Sequence, residues 1–247
     1  MPRPTHPKLK GPATWVYYYL YVILDVFSRY VVGWMVAPRE SATLAERLIA
    51  ASCARQGIPP GQLTLHADRG SSMRSKTVAL LLADLGVTKT HSRPYTSTDN
   101  PYSEALFKTA KYRPEIPARF GCLQHARQVF APLFAWYNTE HRHSGVAMLT
   151  PQDVHDGLAK ERLAQRAAVL AAAYAAHPAR FPGGVPTPGR LPAAVWINKP
   201  AGCGCAEKTE LPECPRSDDL EVARGRSTPA SEGIRPTEEQ MLLVAVQ

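Results

Sequence analysis

Two acids in this sequence sit where chemistry could be built. Asp68 ends the apolar run of "LTLHADRGSSM" (63–73), and Glu104 lies in the opening turn of a helix within "STDNPYSEALFKTAKYRP" (97–114), with thirty-five residues between them. The carboxyl end of a buried strand is where α/β sheets place ligands. A strand end and a helix start are also rigid enough to aim two carboxylates at one point. Hard oxygens of this kind suit Mg²⁺, which keeps several waters and takes further ligands from a substrate. Each acid also has an ordinary use, Asp68 as a turn or cap residue and Glu104 as an acid favoured by the helix dipole. Lys108 and Lys111 follow Glu104 by four and seven residues, on one helix face. From spacing alone, Lys108 suits an i,i+4 pair with Glu104 on a solvated face. Arg69, Arg74, Lys89 and Arg93 flank the acids and extend a surface able to track phosphates.

His66 precedes Asp68 by two and shares its side of the strand, so it orients the acid, binds DNA or, most plainly, is a satisfied core histidine. His141 and His143, in "HRHSG", have no further ligands nearby in the sequence that would complete a metal site. The five cysteines (Cys53, Cys122, Cys203, Cys205, Cys214) form no disulfide framework, and the C-x-C-x8-C spacing of the last three matches no four-ligand zinc pattern. Lys and Arg outnumber Asp and Glu by 29 to 21; residues 1–198 hold 23 and 12 of them, and the segment from Lys199 holds six and nine. A body this basic favours a polyanionic partner, of which nucleic acid is the usual one. No apolar run reaches the roughly 20 residues of a membrane span. The basic, Pro-rich start "MPRPTHPKLKGP" has no signal-peptide pattern. A cytoplasmic location without membrane attachment is therefore expected.

The elements that must position these groups are read from period and punctuation. A short strand around Pro7–Lys10 precedes a turn at "KGPAT". Residues 15–37 are dense in aromatic and β-branched types and broken at "DVFSR", which predicts a hairpin of strands at about 15–25 and 30–37. From Ser41 the apolar period lengthens to three and four (Leu44, Ala45, Leu48, Ile49, Cys53), and Gly57 ends that helix. "QLTLHA" is a strand, "SKTVALLLADLG" a helix ending at Gly86, and "VTKTHSR" a strand closed by Pro94. Pro101 at N1 starts a helix running to about Tyr112. Another covers 123–140, with Pro132 expected to bend or break it. Thr150, Pro151 and Asp153 cap an Ala-rich helix that should run to about Ala176.

"RFPGGVPTPGRLP" is a Pro/Gly linker, and "AAVWINKP" is a candidate docked strand. The order predicts an α/β fold with a mixed five-stranded sheet flanked by helices. Its expected organisation is a core over 1–157, a helical extension over 158–177, a linker with a short strand over 178–200, and a disordered tail over 201–247.

Four stretches, "YYLYVILDVFSRYVVGWMV", "LTLHADRGSSM", "VTKTHSRPYTSTDNPYSEALFKTAKYRP" and "FAWYNTEHRHSG" followed by "TPQDV", occur in one order over about residues 8–157. Together they resemble bacterial insertion-sequence transposases with a retroviral-integrase-like, DDE-type catalytic core. The resemblance implies an RNase H-like fold in which three carboxylates hold two Mg²⁺ ions beside the scissile phosphate. Such a metal pair activates the nucleophile and stabilises the leaving oxygen of an in-line displacement. The resemblance makes Asp68 the second carboxylate and Glu104 the third, gives Lys108, Lys111, Arg69 and Arg93 to DNA, and makes "HRHSG" a packing segment. The implied partners are DNA (transposon ends and target) and other copies, as a homo-oligomer or in association with full-length transposase. An upstream helix-turn-helix segment is also implied, so N-terminal truncation is expected.

The first carboxylate of such transposases lies on the first strand, just before the part aligned with "KLKGP". Here that position is Thr5, and no Asp or Glu precedes Asp25. A neutral hydroxyl cannot replace a carboxylate that bridges two cations. His6 offers no negative charge, and Mg²⁺ disfavours nitrogen. Asp25 would have to reach across the sheet, so turn capping is expected of it instead. The expectation is a transposase core for DNA transposition and integration, impaired by an incomplete acidic triad. The alternatives are a non-catalytic DNA-binding or inhibitory partner of full-length transposase, and a nuclease acting on RNA–DNA hybrids.

Overall fold

The densest apolar run of the sequence becomes the strand around which the sheet is built. The computed structural model describes residues 8–59, 61–67, 75–91, 101–197 and 240–246. After the short β1 (Leu9–Lys10), β2 (Tyr17–Asp25) pairs antiparallel with β1 and with β3 (Val31–Ala37). Successive side chains leave opposite faces of a strand. Leu20, Val22 and Leu24 thus enter one core, and Tyr21 and Ile23 enter the other. Then follow α1 (Ala42–Gln56), β4 (Leu63–Ala67), α2 (Lys76–Asp84) and β5 (Thr88–His91). β4 and β5 run parallel, as a strand–helix–strand crossover requires.

Helices cover both faces. Ala45, Leu48, Ile49 and Cys53 of α1 and Val78 and Leu82 of α2 meet Tyr21, Ile23, Leu63, Leu65 and Ala67. On the other face, α3 (Pro101–Lys111) and α4 (Leu123–Thr139) pack Leu106, Phe107, Ala110, Phe130, Leu133 and Phe134 against Leu20, Val22 and Leu24. Each such side chain, fully buried, contributes roughly 1.5–3 kcal/mol. Among the described residues no helix is long and apolar enough to cross a membrane.

The predicted strands and helices of the core form, with four departures. Pro132 does not break α4, which is continuous from Leu123 to Thr139. The proline removes the hydrogen bond to the Gln128 carbonyl, but both residues are exposed, so water can satisfy it. The Ala-rich helix is two helices, α5 (Pro151–His155) and α6 (Ala159–Ala176). Thr150 caps α5 as predicted, accepting from the Asp153 amide at 3.1 Å. The break falls at Gly157, whose φ of 75° is left-handed and costs a glycine nothing.

"AAVWINKP" forms no strand over its described residues. Val195 and Ile197 dock on the core, but the Trp196 carbonyl accepts from the Tyr102 hydroxyl at 3.2 Å rather than from a ladder. Finally, Gln240–Val246 forms β6, antiparallel to β2 and parallel to β4. The sheet therefore has six strands instead of five, and the expectation of a tail without regular structure does not hold for these seven residues. The rest of the expected tail lies outside the described residues.

Where β2 meets β3 the register slips: Ile23 faces Gly33, but Leu24 faces Val31. Val32 is the extra residue of a bulge, and the side-chain parity of β3 flips there, with Val31 in one core and Val32 in the other. Next to the bulge, the Asn138 side chain of α4 pairs with the Val31 backbone. Its Oδ1 accepts from the Val31 amide at 2.9 Å and its Nδ2 donates to the Val31 carbonyl at 3.1 Å.

Beside the bulge, Gly33 lets α1 approach closely: a β-carbon there would collide with Ser52 Oγ and touch Leu48 Cδ1 at 3.4 Å. Ser52 is fully buried and its Oγ has no hydrogen-bond partner. Gly33→Ala should therefore lower stability by about 1–3 kcal/mol through overpacking. Ser52→Ala, which removes an unpaired hydroxyl, should be neutral or stabilising by about 1 kcal/mol. The double variant should recover most of the loss, a coupling read from denaturant midpoints in a double-mutant cycle; strict additivity would contradict this packing.

Candidate functional site

β4 is buried along its whole length and ends at Ala67, the residue before Asp68. Asp68, Arg69, Arg74, Arg93, Thr5 and His6 lie outside the described residues. Glu104 is described. Pro101, which has no N–H to leave orphaned, opens α3, and Ser103, Leu106, Phe107 and Ala110 face the core at helical spacing. That stripe turns Glu104, Lys108 and Lys111 outward, and all three are exposed. The ion pairs among the described residues are Arg113–Glu115, His155–Asp25 and Arg162–Asp153. Glu104 and Lys108 thus do not form the i,i+4 pair. Lys111 lies over the Tyr112 ring at 6.0 Å.

The first turn of α3 is held by residues that the sequence reading did not single out. The Arg29 guanidinium lies 3.8 Å from the centroid of the Tyr102 ring, a cation–π contact. Arg29 has a left-handed φ of 68°, and its guanidinium also bonds the Val26 carbonyl. The β2–β3 turn thereby grips the helix start two residues from Glu104. A side chain such as Arg29, on a turn next to an acid cap, gave no signal in the sequence because its partner lies more than seventy residues away.

Asp25 performs the turn capping expected of it. Its Oδ1 accepts from the Phe27 amide at 3.0 Å and its Oδ2 from Ser28 Oγ. His155 of α5 sets Nδ1 3.1 Å from Asp25 Oδ2 and Nε2 2.9 Å from Gln56 Oε1, and its ring stacks on Tyr30 at 4.3 Å. Asp25 is thus engaged on both oxygens. His66 is buried, with Nδ1 2.9 Å from Thr90 Oγ1, as a core histidine would be; Asp68, which it would orient in another reading, lies outside the described residues. His141 and His143 pack against each other at 4.4 Å and against Tyr137, while Arg113 covers Trp136 at 3.8 Å. Among the described residues no three His, Cys, Asp or Glu side chains gather as a metal site.

Residues 5–97 match an integrase core domain family, and residues 85–151 match a second family of the same description. The chain matches these two families over residues 5–151 between them. It is similar to the transposase for insertion sequence element IS904 of Lactococcus lactis subsp. lactis (strain IL1403), with 33% identity over 136 residues, 55% of this chain and 53% of that one. It is 29% identical over 135 residues to transposase InsF for insertion sequence IS3A of Escherichia coli (strain K12), covering 54% of this chain and 46% of that one. The chain thus spans about half the length of these curated relatives. Among solved structures, it is 20% identical to a chain of the simian T-cell lymphotropic virus intasome in complex with PP2A regulatory subunit B56 gamma, with a TM-score of 0.46 over 60% of this chain and 51% of that one. It is 19% identical to the catalytic core domain of BIV integrase, with a TM-score of 0.42 over 63% and 94%.

The His141–His143 cluster makes stability depend on pH. Burial, reinforced by the His141 and Arg29 charges, pushes the His143 pKa from 6.5 down to about 4, and its Nε2 is buried without a partner. Burial also lowers His141, with help from Arg113. An unfolded chain therefore takes up protons on these imidazoles before the folded one does. The stabilisation is complete above pH 6.5 and is lost as pH falls from there toward about 4. Urea midpoints at pH 7 and 4.5 should differ less for His143→Gln than for the unaltered chain, with a residual slope from His141. Equal pH dependence would contradict the assignment.

Proposed function

We propose that this chain is the catalytic-core portion of a DNA transposase, RNase H-like in architecture, that binds DNA but has an impaired strand-transfer centre. The carrying observation is the alternation along β4. Leu63, Leu65 and Ala67 belong to the core under α1 and α2, so Thr64 and His66 take the side on which α3 packs. One more step of the same period reaches Asp68, and α3 presents Glu104 from its first turn. A strand end and a helix start on one side of the sheet are what a shared carboxylate site needs.

Asp68 and Glu104 are the residues that would hold Mg²⁺, their hard oxygens matching its preference. When bound, the metal supplies activation of a water or hydroxyl nucleophile and stabilisation of the leaving oxygen. Lys108 and Lys111, exposed one and two turns along the same helix, bring phosphates to the acids, with Arg69 and Arg93 extending the track. Binding through phosphates positions DNA without reading its sequence.

The impairment comes from Thr5. With two carboxylates in place of three, a pair of divalent cations keeps one more uncompensated positive charge, and the hydroxyl cannot bridge. The chain then holds DNA without cutting it. The excess of 23 basic over 12 acidic residues in 1–198 supports the DNA-binding part of this reading.

Three measurements test it. Titration with Mn²⁺ followed by water proton relaxation should detect weak binding that Asp68→Asn or Glu104→Gln removes; affinity unchanged in both variants would sink the site. In DNA binding, Lys108→Ala and Lys111→Ala should each weaken association across sequences and each reduce the salt slope by about 1. The unaltered chain should show no Mg²⁺-dependent nicking of transposon-end DNA, whereas robust cleavage abolished by Asp68→Ala would refute the impairment.

A further inference from the structure

β1 and β6 use the same edge of β2, one after the other. The Asp25 amide and carbonyl bond across the hairpin to Tyr30 and Arg29, on the side of β3, whereas the Val16 carbonyl accepts from the Gly11 amide on the side of β1. Amides and carbonyls alternate sides along a strand. The odd residues of β2 therefore serve β3, and the even ones serve β1. β6 must also lie opposite β3, because both pair with Tyr21–Leu24. β1 and β6 are each antiparallel to β2, so they run in the same direction along one line.

The registers show what competes for this line. β1 sets Leu9 against Tyr18 and Lys10 against Tyr17. Continued straight, that pairing would set residues 6, 5, 4, 3 and 2 against Tyr21, Val22, Ile23, Leu24 and Asp25. Those five partners are held by Val246, Ala245, Val244, Leu243 and Leu242 of β6. On its other edge β6 pairs with β4 up to Ala67 opposite Val244, so the slot is interior to the sheet. A strand flanked on both sides needs every amide, and residues 2–7 carry Pro2, Pro4 and Pro7, each of which lacks one. "QMLLVAV" has no proline and is rich in β-forming residues.

We infer that Gln240–Val246 is a replacement strand: it fills, from the far end of the chain, the interior slot that residues 2–6 would enter by continuing β1. Ala245 then stands at the register position that Thr5 would have taken opposite Val22. The forty-two residues between Ile197 and Gln240 provide ample reach for the return.

Engineered disulfides test the register without reference to any activity. Val22→Cys combined with Ala245→Cys, refolded under oxidised glutathione, should give the 22–245 disulfide as the dominant product in peptide mass mapping. Val22→Cys combined with Thr5→Cys should give little of the corresponding link. In the unaltered chain, amides 241–245 should exchange slowly with deuterated water. A 5–22 disulfide in equal or greater yield, absence of the 22–245 link, or fast exchange at 241–245 overturns the inference. A further arm rests on the cation site proposed above: Ala245→Asp should tighten Mn²⁺ binding, and Thr5→Asp should not. If the 22–245 link forms but Ala245→Asp leaves Mn²⁺ affinity unchanged, the cation site falls and the replacement strand stands. Tighter binding in Thr5→Asp alone, by contrast, would return the slot to the N-terminal residues.

Discussion

A strand buried on both faces has no water to satisfy its backbone, so each of its edges must find a partner in the protein. β2 is that strand here: Leu20, Tyr21, Val22, Ile23 and Leu24 are all buried, on alternating faces. One edge is met by β3, whose Val31 amide and carbonyl are in turn met by the Asn138 side chain of α4. The other edge is divided between β1 and β6. The requirement also explains why β6 matters more than its seven residues suggest. Its two ladders join the antiparallel half of the sheet, β1 to β3, to the parallel half, β4 and β5.

The end of β2 carries the second constraint. Asp25 engages both oxygens in the turn and with His155, and Arg29 passes from the same turn to the Tyr102 ring. The turn therefore fixes α5 on one side and the start of α3 on the other. Two acids close to the sheet thus have opposite fates for a physical reason. Asp25 is half-buried with its lone pairs engaged, so recruiting it as a ligand would strip a turn of its cap. Glu104 is exposed on a helix whose first turn is pinned at Tyr102, and it is outside the ion pairs formed among the described residues. Among the described residues the Glu104 carboxylate is thus left unengaged on a helix whose start is pinned, which is the property the proposed cation site draws on.

Much of this was legible in the sequence where local pattern decides. Alternating and three-to-four spacing located the hairpin, α1, β4, α2, β5 and α3 within a residue or two, because each period reflects one face meeting a core. The cap at Thr150 was legible because its partner is three residues away. What escaped had its cause elsewhere. Pro132 is tolerated since solvent can serve the carbonyl it orphans, which depends on the face α4 exposes. Gly157 splits the Ala-rich helix although alanine propensity favours continuity, its left-handed φ marking the turn between α5 and α6. The pairing of Asn138 with Val31, beside the bulge at Val32, joins residues more than a hundred positions apart. "MLLVAV" falls in the tail expected to be disordered, because nothing local says that an interior slot awaits it. On the functional side, Glu104 was legible as an exposed acid in the first turn of its helix, whereas Arg29, Tyr102 and His155 act only through distant partners.

The slot between β2 and β4 separates two demands that a single strand usually meets together. The sheet asks for an uninterrupted row of amides and carbonyls, because both neighbours are buried and an unpaired backbone group there costs roughly 1–3 kcal/mol. The chemistry proposed for this core asks instead for a negative charge at one position in that row, since two divalent cations cannot be held close together by two carboxylates as well as by three. Prolines 2, 4 and 7 cannot meet the first demand. β6 meets it along the ladder from Leu242 to Val246, yet brings alanine to the position opposite Val22. Its sequence supplies no acid at any of its seven positions. Hydrogen bonding is indifferent to which chain segment fills the slot, but coordination is not. On the proposed function, a fold of this kind would keep its sheet and its helices while lacking a charge that strand transfer needs.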